Sequence, residues 1–251
     1  MDELIHGGSV VCIYLITLAV IALSARKLIN IPDELFRKIL HFILLGAYVP
    51  FLFAFDTWWI SAGFAAFLIV VIYPLLMLVG YIPAFSTFVN ERKKGDFKSS
   101  MVLAFGVMAL TISVGWGLLH DRYLVLASVY AWGVGDAFAA LIGKRFGKHK
   151  LNWKLVDHHK SIEGSLAMLI TSAIAVFTVL QIRGGLDVIS SLIVSVLTAS
   201  VATFVELCSI NGFDTVTCPA ISMMIVIVFT KVLGGLSCLI KNQVKKLCCG
   251  R

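Results

Sequence analysis

The sequence predicts an all-α, polytopic membrane protein with about seven or eight transmembrane helices. Of its 251 residues, 59% are hydrophobic, whereas soluble domains have about 45–50%. These residues form long apolar runs, and one membrane span needs about 20 of them. Because lipid offers the backbone no hydrogen-bond partners, such spans must be helical. No polar run is long enough to fold alone, so we expect one membrane domain over residues 1–251.

Eight apolar segments account for the predicted spans. They cover approximately residues 8–25, 35–54, 58–80, 99–119, 123–142, 163–181, 186–205 and 216–240. The acidic start MDELIHGG lacks the positive region of a signal peptide, so we expect the first segment to be retained. Pro74 is expected to kink the third segment, as membrane helices tolerate. Lys231–Gly235 interrupts the last segment. Eight complete spans would place the basic tail outside, against the positive-inside rule, so either this segment is re-entrant or interfacial or the tail is an exception to the rule.

The charged connections are predicted to share one side of the membrane. Arg26 and Lys27 follow the first span and mark its cytoplasmic end. Counted from there, residues 26–38, 81–98, 143–160 and 206–214 all fall on the cytoplasmic face. The net charge of +7 flanks the spans without forming an extended basic domain, which argues against a nucleic-acid partner. The six cysteines include no CxxC pair, which argues against a zinc site.

The stretch from Gly133 to Ser165 has the composition of a site for a metal-bound polyphosphate. Asp136 lies inside one apolar segment and Glu163 opens the next, and acids retained in membrane spans usually have a function. The basic residues between them are Lys144, Arg145, Lys148, Lys150, Lys154 and Lys160. Carboxylates hold magnesium, while lysines and backbone amides neutralise phosphates.

Small residues and a helix start complete this stretch. Gly143 and Gly164 would let the backbone approach a phosphate closely. Lys160 and Ser161 lie at the start of the sixth span, and a helix N-terminus favours anions. Ser161 could equally serve only as a helix cap. The alternative to a functional Asp136 is a buried acid paired with a lysine.

Two further polar groups are predicted on the same face. Arg37 and His41 are four residues apart in the second span and therefore share a helix face, although His41 could equally be a core histidine. Glu206, Asn211 and Asp214 lie in a short polar break before the last segment. The run 91–98 is by default a solvated connector, and His158-His159 is predicted to be loop.

These residues form four elements that together resemble the CTP-dependent lipid kinase family, which includes dolichol, phytol and farnesol kinases and fungal-type diacylglycerol kinase. The elements are Arg37-Lys38-x-x-His41, Gly135-Asp136-Ala137-Phe138-Ala139-Ala140-x-x-Gly143-Lys144-x-Phe146-Gly147, Lys160-Ser161-x-Glu163-Gly164-Ser165, and an acidic loop ending at Asp214. They occur in order over roughly residues 35–220, in a chain that resembles the compact bacterial form. The last element departs from the family pattern, because Thr215 follows the acid where asparagine is usual.

The resemblance implies phosphoryl transfer from CTP to the hydroxyl of a membrane lipid alcohol, with Mg²⁺ as cofactor. The lipid would be diacylglycerol, a polyprenol or dolichol, or a phytol-like alcohol. The implied catalytic and metal-binding residues are Asp136, Glu163 and Asp214. The implied nucleotide and phosphate contacts are Lys144, Lys160, Ser161, Gly143, Gly164, Arg37 and His41. The expected location is a bacterial plasma membrane, or an endoplasmic reticulum or plastid membrane in a eukaryote.

Two other functions are compatible with the same residues. A phosphatidate cytidylyltransferase would also use CTP and Mg²⁺, but would release pyrophosphate and form a CDP-lipid; the compact KSIEGS element favours the kinase. A small-solute transporter could use Asp136 as a coupling-ion site. Transporters often show two related halves, whereas this sequence shows no internal repeat and its charges cluster on one face.

Overall fold

The computed structural model describes residues 2–29, 31–79, 96–151, 160–209 and 214–249, with backbone alone at 76, 78–79, 96–98, 214 and 235–249. Within these ranges every regular element is helical. The helices are α1 (Asp2–Leu28), α2 (Asp33–Phe53), α3 (Trp58–Val79), α4 (Asp96–Thr111, continued by a π-helix over Ile112–Leu118), α5 (Arg122–Phe146), α6 (Ile162–Arg183), α7 (Val188–Cys208) and α8 (Asp214–Cys249). Each of the eight contains a stretch long and apolar enough to cross a membrane. The predicted all-helical, polytopic membrane fold is confirmed.

Several helix boundaries differ from the sequence prediction. α5 continues to Phe146 and so includes Gly143 and Lys144, which were predicted to lie in the basic loop. α7 continues to Cys208, so Glu206 belongs to a helix and not to the polar break. α8 runs without interruption through Lys231–Gly235, and its membrane-crossing stretch is Thr215–Gly234. Polar residues and glycines do not end a membrane helix when the backbone N–H and C=O groups of the following turn are still hydrogen-bonded within the helix.

The described chain divides into two compact units, Met1–Arg122 and Tyr123–Arg251. The first contains α1–α4 and the second contains α5–α8. The expectation of one membrane domain over the whole chain stays a prediction.

Aromatic side chains fill much of the core of the first unit. The rings of Phe51 and Phe55 are fully buried and stack with their centroids 6.3 Å apart, and the Phe64 ring lies 5.8 Å from that of Phe55. Gly7 of α1 gives the Phe55 ring its space, because a Cβ at Gly7 would lie 2.6 Å from a ring carbon. The contact explains why a glycine occurs inside this helix despite its cost to helix stability.

Charged residues fasten both ends of the first unit. At one end, the Arg26 guanidinium lies 2.6 Å from an Asp33 carboxylate oxygen and joins α1 to α2. At the other, Glu3 Oε1 accepts hydrogen bonds from Asp56 N at 2.9 Å and from Thr57 N and Oγ1, both at 2.8 Å. Glu3 therefore caps the start of α3 from a distant part of the chain. Arg122 also lies at this end, with its guanidinium donating to Asp56 O at 3.3 Å.

Small residues at intervals of four bring α5 and α6 together in the second unit. Ser172 Oγ donates to Ala131 O at 2.5 Å, Gly135 faces Met168, and Ala139 O faces Gly164. Along these contacts the residue numbers rise in α5 and fall in α6, so the two helices are antiparallel. Such spacing of small residues is typical of close helix contacts in membranes. α7 packs on α6 and α8 packs on α7.

Candidate active site

Most of the described charged residues of the second unit collect where α5 and α7 end and where α6 and α8 begin. We call this set the charged end. Its described members are Lys144, Arg145, Lys148, His149, Lys150, Lys160, Glu163 and Glu206. Lys144 and Arg145 are exposed in the last turn of α5, where basic residues complement the negative end of the helix dipole.

Two backbone hydrogen bonds fix the frame of the charged end. After α5 the chain turns so that residues 149–151 run antiparallel to residues 160–162. Leu151 N donates to Lys160 O at 3.1 Å, and Ile162 N donates to His149 O at 3.0 Å. The entrance and exit of the α5–α6 connection are therefore joined directly. His158 and His159, predicted to be loop, lie outside the described residues.

Ser161 is a buried helix cap. Its backbone is extended, and its Oγ accepts a hydrogen bond from Gly164 N at 3.2 Å. This arrangement satisfies one of the amide groups that lack a partner at the start of α6. The cap interpretation is thus observed, while a contact between Ser161 and a phosphate stays a prediction.

Gly143 and Gly164 contact each other across the α5–α6 interface. A Cβ at Gly164 would lie 2.9 Å from Ala139 O and 3.2 Å from Gly143 Cα. A Cβ at Gly143 would lie 3.2 Å from Ser161 Oγ. Their described role is therefore to let the two helices approach, and their predicted contact with phosphates stays a prediction.

Glu163 pairs with a histidine that was not among the predicted site residues. His149 Nδ1 lies 2.7 Å from Glu163 Oε1, and His149 N donates to the same oxygen at 3.2 Å. The Glu163 side chain is 26% exposed and that of His149 is 74% exposed. The carboxylate is therefore reachable from solvent. The two residues are 14 positions apart on opposite sides of a connection, so helical spacing could not have revealed the pair.

Lys160 is bound by the end of α7. Its Nζ lies 3.0 Å from Glu206 Oε1 and also donates to the backbone oxygens of Glu206 and Ser209. Both side chains are largely enclosed, with 20% of Lys160 and 12% of Glu206 exposed. Glu206, which the sequence placed near Asp214, is thus a partner of Lys160.

Asp136 lies deeper in the span than the rest of the site. It is half-buried on α5, seven residues before Gly143, which corresponds to about 10 Å along the helix. Gly135 lies opposite Met168 and Ala139 lies opposite Gly164 in the antiparallel pair. Asp136 is therefore at the same depth as Ala167 of α6. Glu163 is four residues from that level, or about 6 Å along the axis.

The proposed metal ligands do not form a cluster among the side chains that the structure describes. Within them, no three His, Cys, Asp or Glu side chains gather as a metal site would require. Asp214 begins α8 at the charged end, and its side chain lies outside the described set, as does Asn211. The magnesium site of Asp136, Glu163 and Asp214 therefore stays a prediction.

Arg37 and His41 belong to the first unit. They lie near the start of α2, where the half-exposed Arg37 pairs with Glu34. The His41 ring is half-buried, with its centroid 6.4 Å from that of Phe42. Their predicted part in nucleotide binding stays a prediction. The polar run predicted as a connector lies largely outside the described residues.

Comparison with known proteins gives one informative similarity. No protein-family model matches the chain, and no solved structure matches it. A protein named phytol kinase, from Synechocystis sp., is 31% identical to this chain over 172 residues. The match covers 63% of this chain and 64% of that protein, so the chain spans slightly less than two thirds of the relative. Over the larger part of its length, the chain is similar to a phytol kinase.

Proposed function

We propose that this protein is an integral membrane kinase that phosphorylates the hydroxyl group of a membrane lipid alcohol. The observation that carries the proposal is the 31% identity to a phytol kinase. The membrane fold supports it, because such a substrate is dissolved in the bilayer among apolar helices. The charged end supports it as well. Its basic residues would attract the phosphates of a nucleotide arriving from water, and its accessible carboxylate would suit a magnesium ion bound to them.

The reaction joins the lipid hydroxyl oxygen to the terminal phosphorus of a nucleoside triphosphate. The bond from that phosphorus to the bridging oxygen breaks, and the hydroxyl proton is released. With CTP as donor, the products are CDP and a lipid monophosphate. CTP is proposed because of the family resemblance in the four sequence elements. Catalysis of this reaction depends mainly on positioning and on neutralising phosphate charge.

The depth of the acids suggests how the two substrates meet. Glu163 belongs to the charged end and is partly exposed, while Asp136 lies about one helical turn deeper in the span. We assign Asp136 to the lipid hydroxyl, which would approach from within the bilayer, and Lys144 to the phosphates. Asp136, Glu163 and Asp214 would hold Mg²⁺, which would neutralise phosphate charge.

The test measures phosphate transfer by the full chain in lipid nanodiscs. Purified protein receives Mg²⁺ and CTP or ATP labelled at the terminal phosphate. Phytol, farnesol, a polyprenol and diacylglycerol are offered separately. We expect one class of alcohol to become labelled, with CTP preferred. Absence of labelled lipid with every donor and acceptor would refute the kinase.

A matched pair of variants tests the central acid. Asp136→Asn keeps the shape of the side chain but removes its charge, and we expect a loss of about 100-fold or more in rate. Asp187→Asn is the control, because Asp187 caps α7 with a hydrogen bond from Ser190 N at 3.1 Å. Asparagine is an equally good cap, so this variant should keep wild-type activity. Full activity in Asp136→Asn would exclude the assigned role.

The same preparation separates the kinase from a cytidylyltransferase. A lipid phosphate is supplied with CTP, and pyrophosphate is measured. Release of pyrophosphate together with a CDP-lipid would replace the kinase proposal by that of a cytidylyltransferase.

A further inference from the structure

We propose that Lys160 is a positioning residue whose ammonium holds the end of α7 against the start of α6 through Glu206. By holding α7, Lys160 also sets the place of the first turn of α8, on which Asp214 stands. The effect on catalysis rests on the proposed kinase function, whereas the effect on helix position does not.

The hydrogen-bonding capacity of Lys160 carries the first step. An ammonium group has three N–H donors and no acceptor. Lys160 Nζ has three protein oxygens around it: Glu206 Oε1 at 3.0 Å, Glu206 O, and Ser209 O at 3.4 Å. All three donors are thus matched by protein acceptors. A phosphate could be bound only by giving up one of these contacts.

The end of α7 provides a reason for such a lysine. The last carbonyl groups of a helix lack partners within it and carry a partial negative charge. α7 has no basic residue in its own last turn. Lys160, which precedes α6, supplies this missing charge from 46 positions earlier in the chain. The side chains are largely enclosed, so water weakens this attraction less than at an open surface.

A short series of contacts extends from Lys160 to α8. Ser209, whose carbonyl faces Lys160, has its hydroxyl 3.3 Å from Thr217 Oγ1. Thr217 is in the first turn of α8, three residues after Asp214. Loss of the Lys160 ammonium would therefore release the end of α7 and also Ser209, the residue that contacts the first turn of α8.

Two explanations of Lys160 predict different kinetics. A direct phosphate ligand would mainly raise the KM for the nucleotide when removed, and Glu206 would matter little. A positioning residue would mainly lower kcat, and removal of Glu206 would have the same effect as removal of Lys160.

The kinetic experiment compares Lys160→Met and Glu206→Gln in nanodiscs. We expect each to lower kcat by about tenfold or more, because small displacements of catalytic groups have large effects on rate. The KM for CTP should change by less than about threefold. The double charge exchange Lys160→Glu with Glu206→Lys should be at least about threefold more active than either single charge reversal, because the restored pair couples the sites.

A distance measurement tests the same inference without any substrate. Spin labels are placed at Cys208, which is exposed, and at exposed Ile162 after its change to cysteine, with the other cysteines replaced. We expect a single narrow distance distribution for otherwise wild-type protein and a broader one for Lys160→Met and Glu206→Gln. Lys148→Met is the matched control, because Lys148 carries the same charge on the exposed surface of the charged end.

The outcomes separate this inference from the proposed function. Unchanged distance distributions in both variants would overturn it. A more than tenfold rise in the KM for CTP in Lys160→Met, with wild-type kinetics in Glu206→Gln, would also overturn it. If the wild-type protein phosphorylates no alcohol but the distributions broaden as expected, the positioning role stands and the kinase proposal fails.

Discussion

Changing Gly164 to alanine tests whether close contact between glycines holds α5 and α6 together. The added Cβ would lie 2.9 Å from Ala139 O and 3.2 Å from Gly143 Cα. Both neighbours are backbone atoms, so neither can move aside as the end of a flexible side chain could. The helices would have to separate locally by a few tenths of an ångström.

The expected magnitude follows from two opposing effects. Overpacking of a close contact costs about 1–3 kcal/mol. Replacing glycine by alanine inside a helix recovers up to about 1 kcal/mol. We therefore expect the free energy of unfolding to fall by about 1–2 kcal/mol. For a chain of this size, that corresponds to a decrease of about 2–8 °C in Tm.

The assay is thermal unfolding in detergent, followed by circular dichroism. Gly106→Ala is the matched control, because Gly106 lies inside α4 and a Cβ there would meet no atom within 4 Å. We expect this control to raise the Tm slightly through helix propensity alone. Equal shifts of the same sign in both variants would show that the Gly164 contact does not hold the helices together.

Three further changes test other parts of the structure. Glu3→Ala should lower the free energy of unfolding, because it removes the carboxylate that accepts hydrogen bonds from Asp56 N and Thr57 N; unfolding is followed by SDS titration, in which Asp2→Ala at the exposed neighbouring position should show little effect. Ser161→Ala should lower the free energy of unfolding by about 1 kcal/mol and accelerate hydrogen exchange at Gly164 N, because this amide loses its acceptor; unchanged exchange would argue against the cap. Chelation of Mg²⁺ by EDTA should abolish phosphate transfer, and added Mg²⁺ should restore it, since phosphates need their charge neutralised; transfer that persists in EDTA would exclude the metal.

The membrane helices could be predicted from sequence because hydropathy and length determine them locally. All eight predicted segments correspond to helices that could cross a membrane. The prediction was wrong at helix ends. Gly143 was expected in the basic loop that follows the apolar segment, yet α5 includes it, and there it packs against Gly164. The spacing of small residues from Ala131 onwards was a signal available in the sequence for this contact.

The pairings at the charged end could not be predicted in the same way. Lys160 and Glu206 are separated by α6 and nearly all of α7, and which residues meet depends on how these two helices pack against each other. His149 reaches Glu163 because a connection folds back on itself. The residue types indicated a polar site. Which residues pair within it depends on tertiary contacts, and helical periodicity carries no information about these.

The two hydrogen bonds between 149–151 and 160–162 have a practical consequence for engineering. They close the connection at its base, so a change in its length need not move either helix. The entropic cost of a longer closed loop rises slowly, by about 0.6 kcal/mol for each doubling. An epitope tag could therefore be inserted between residues 152 and 159. Antibody access to that tag in sealed vesicles, compared with opened ones, would reveal on which side of the membrane the charged end lies.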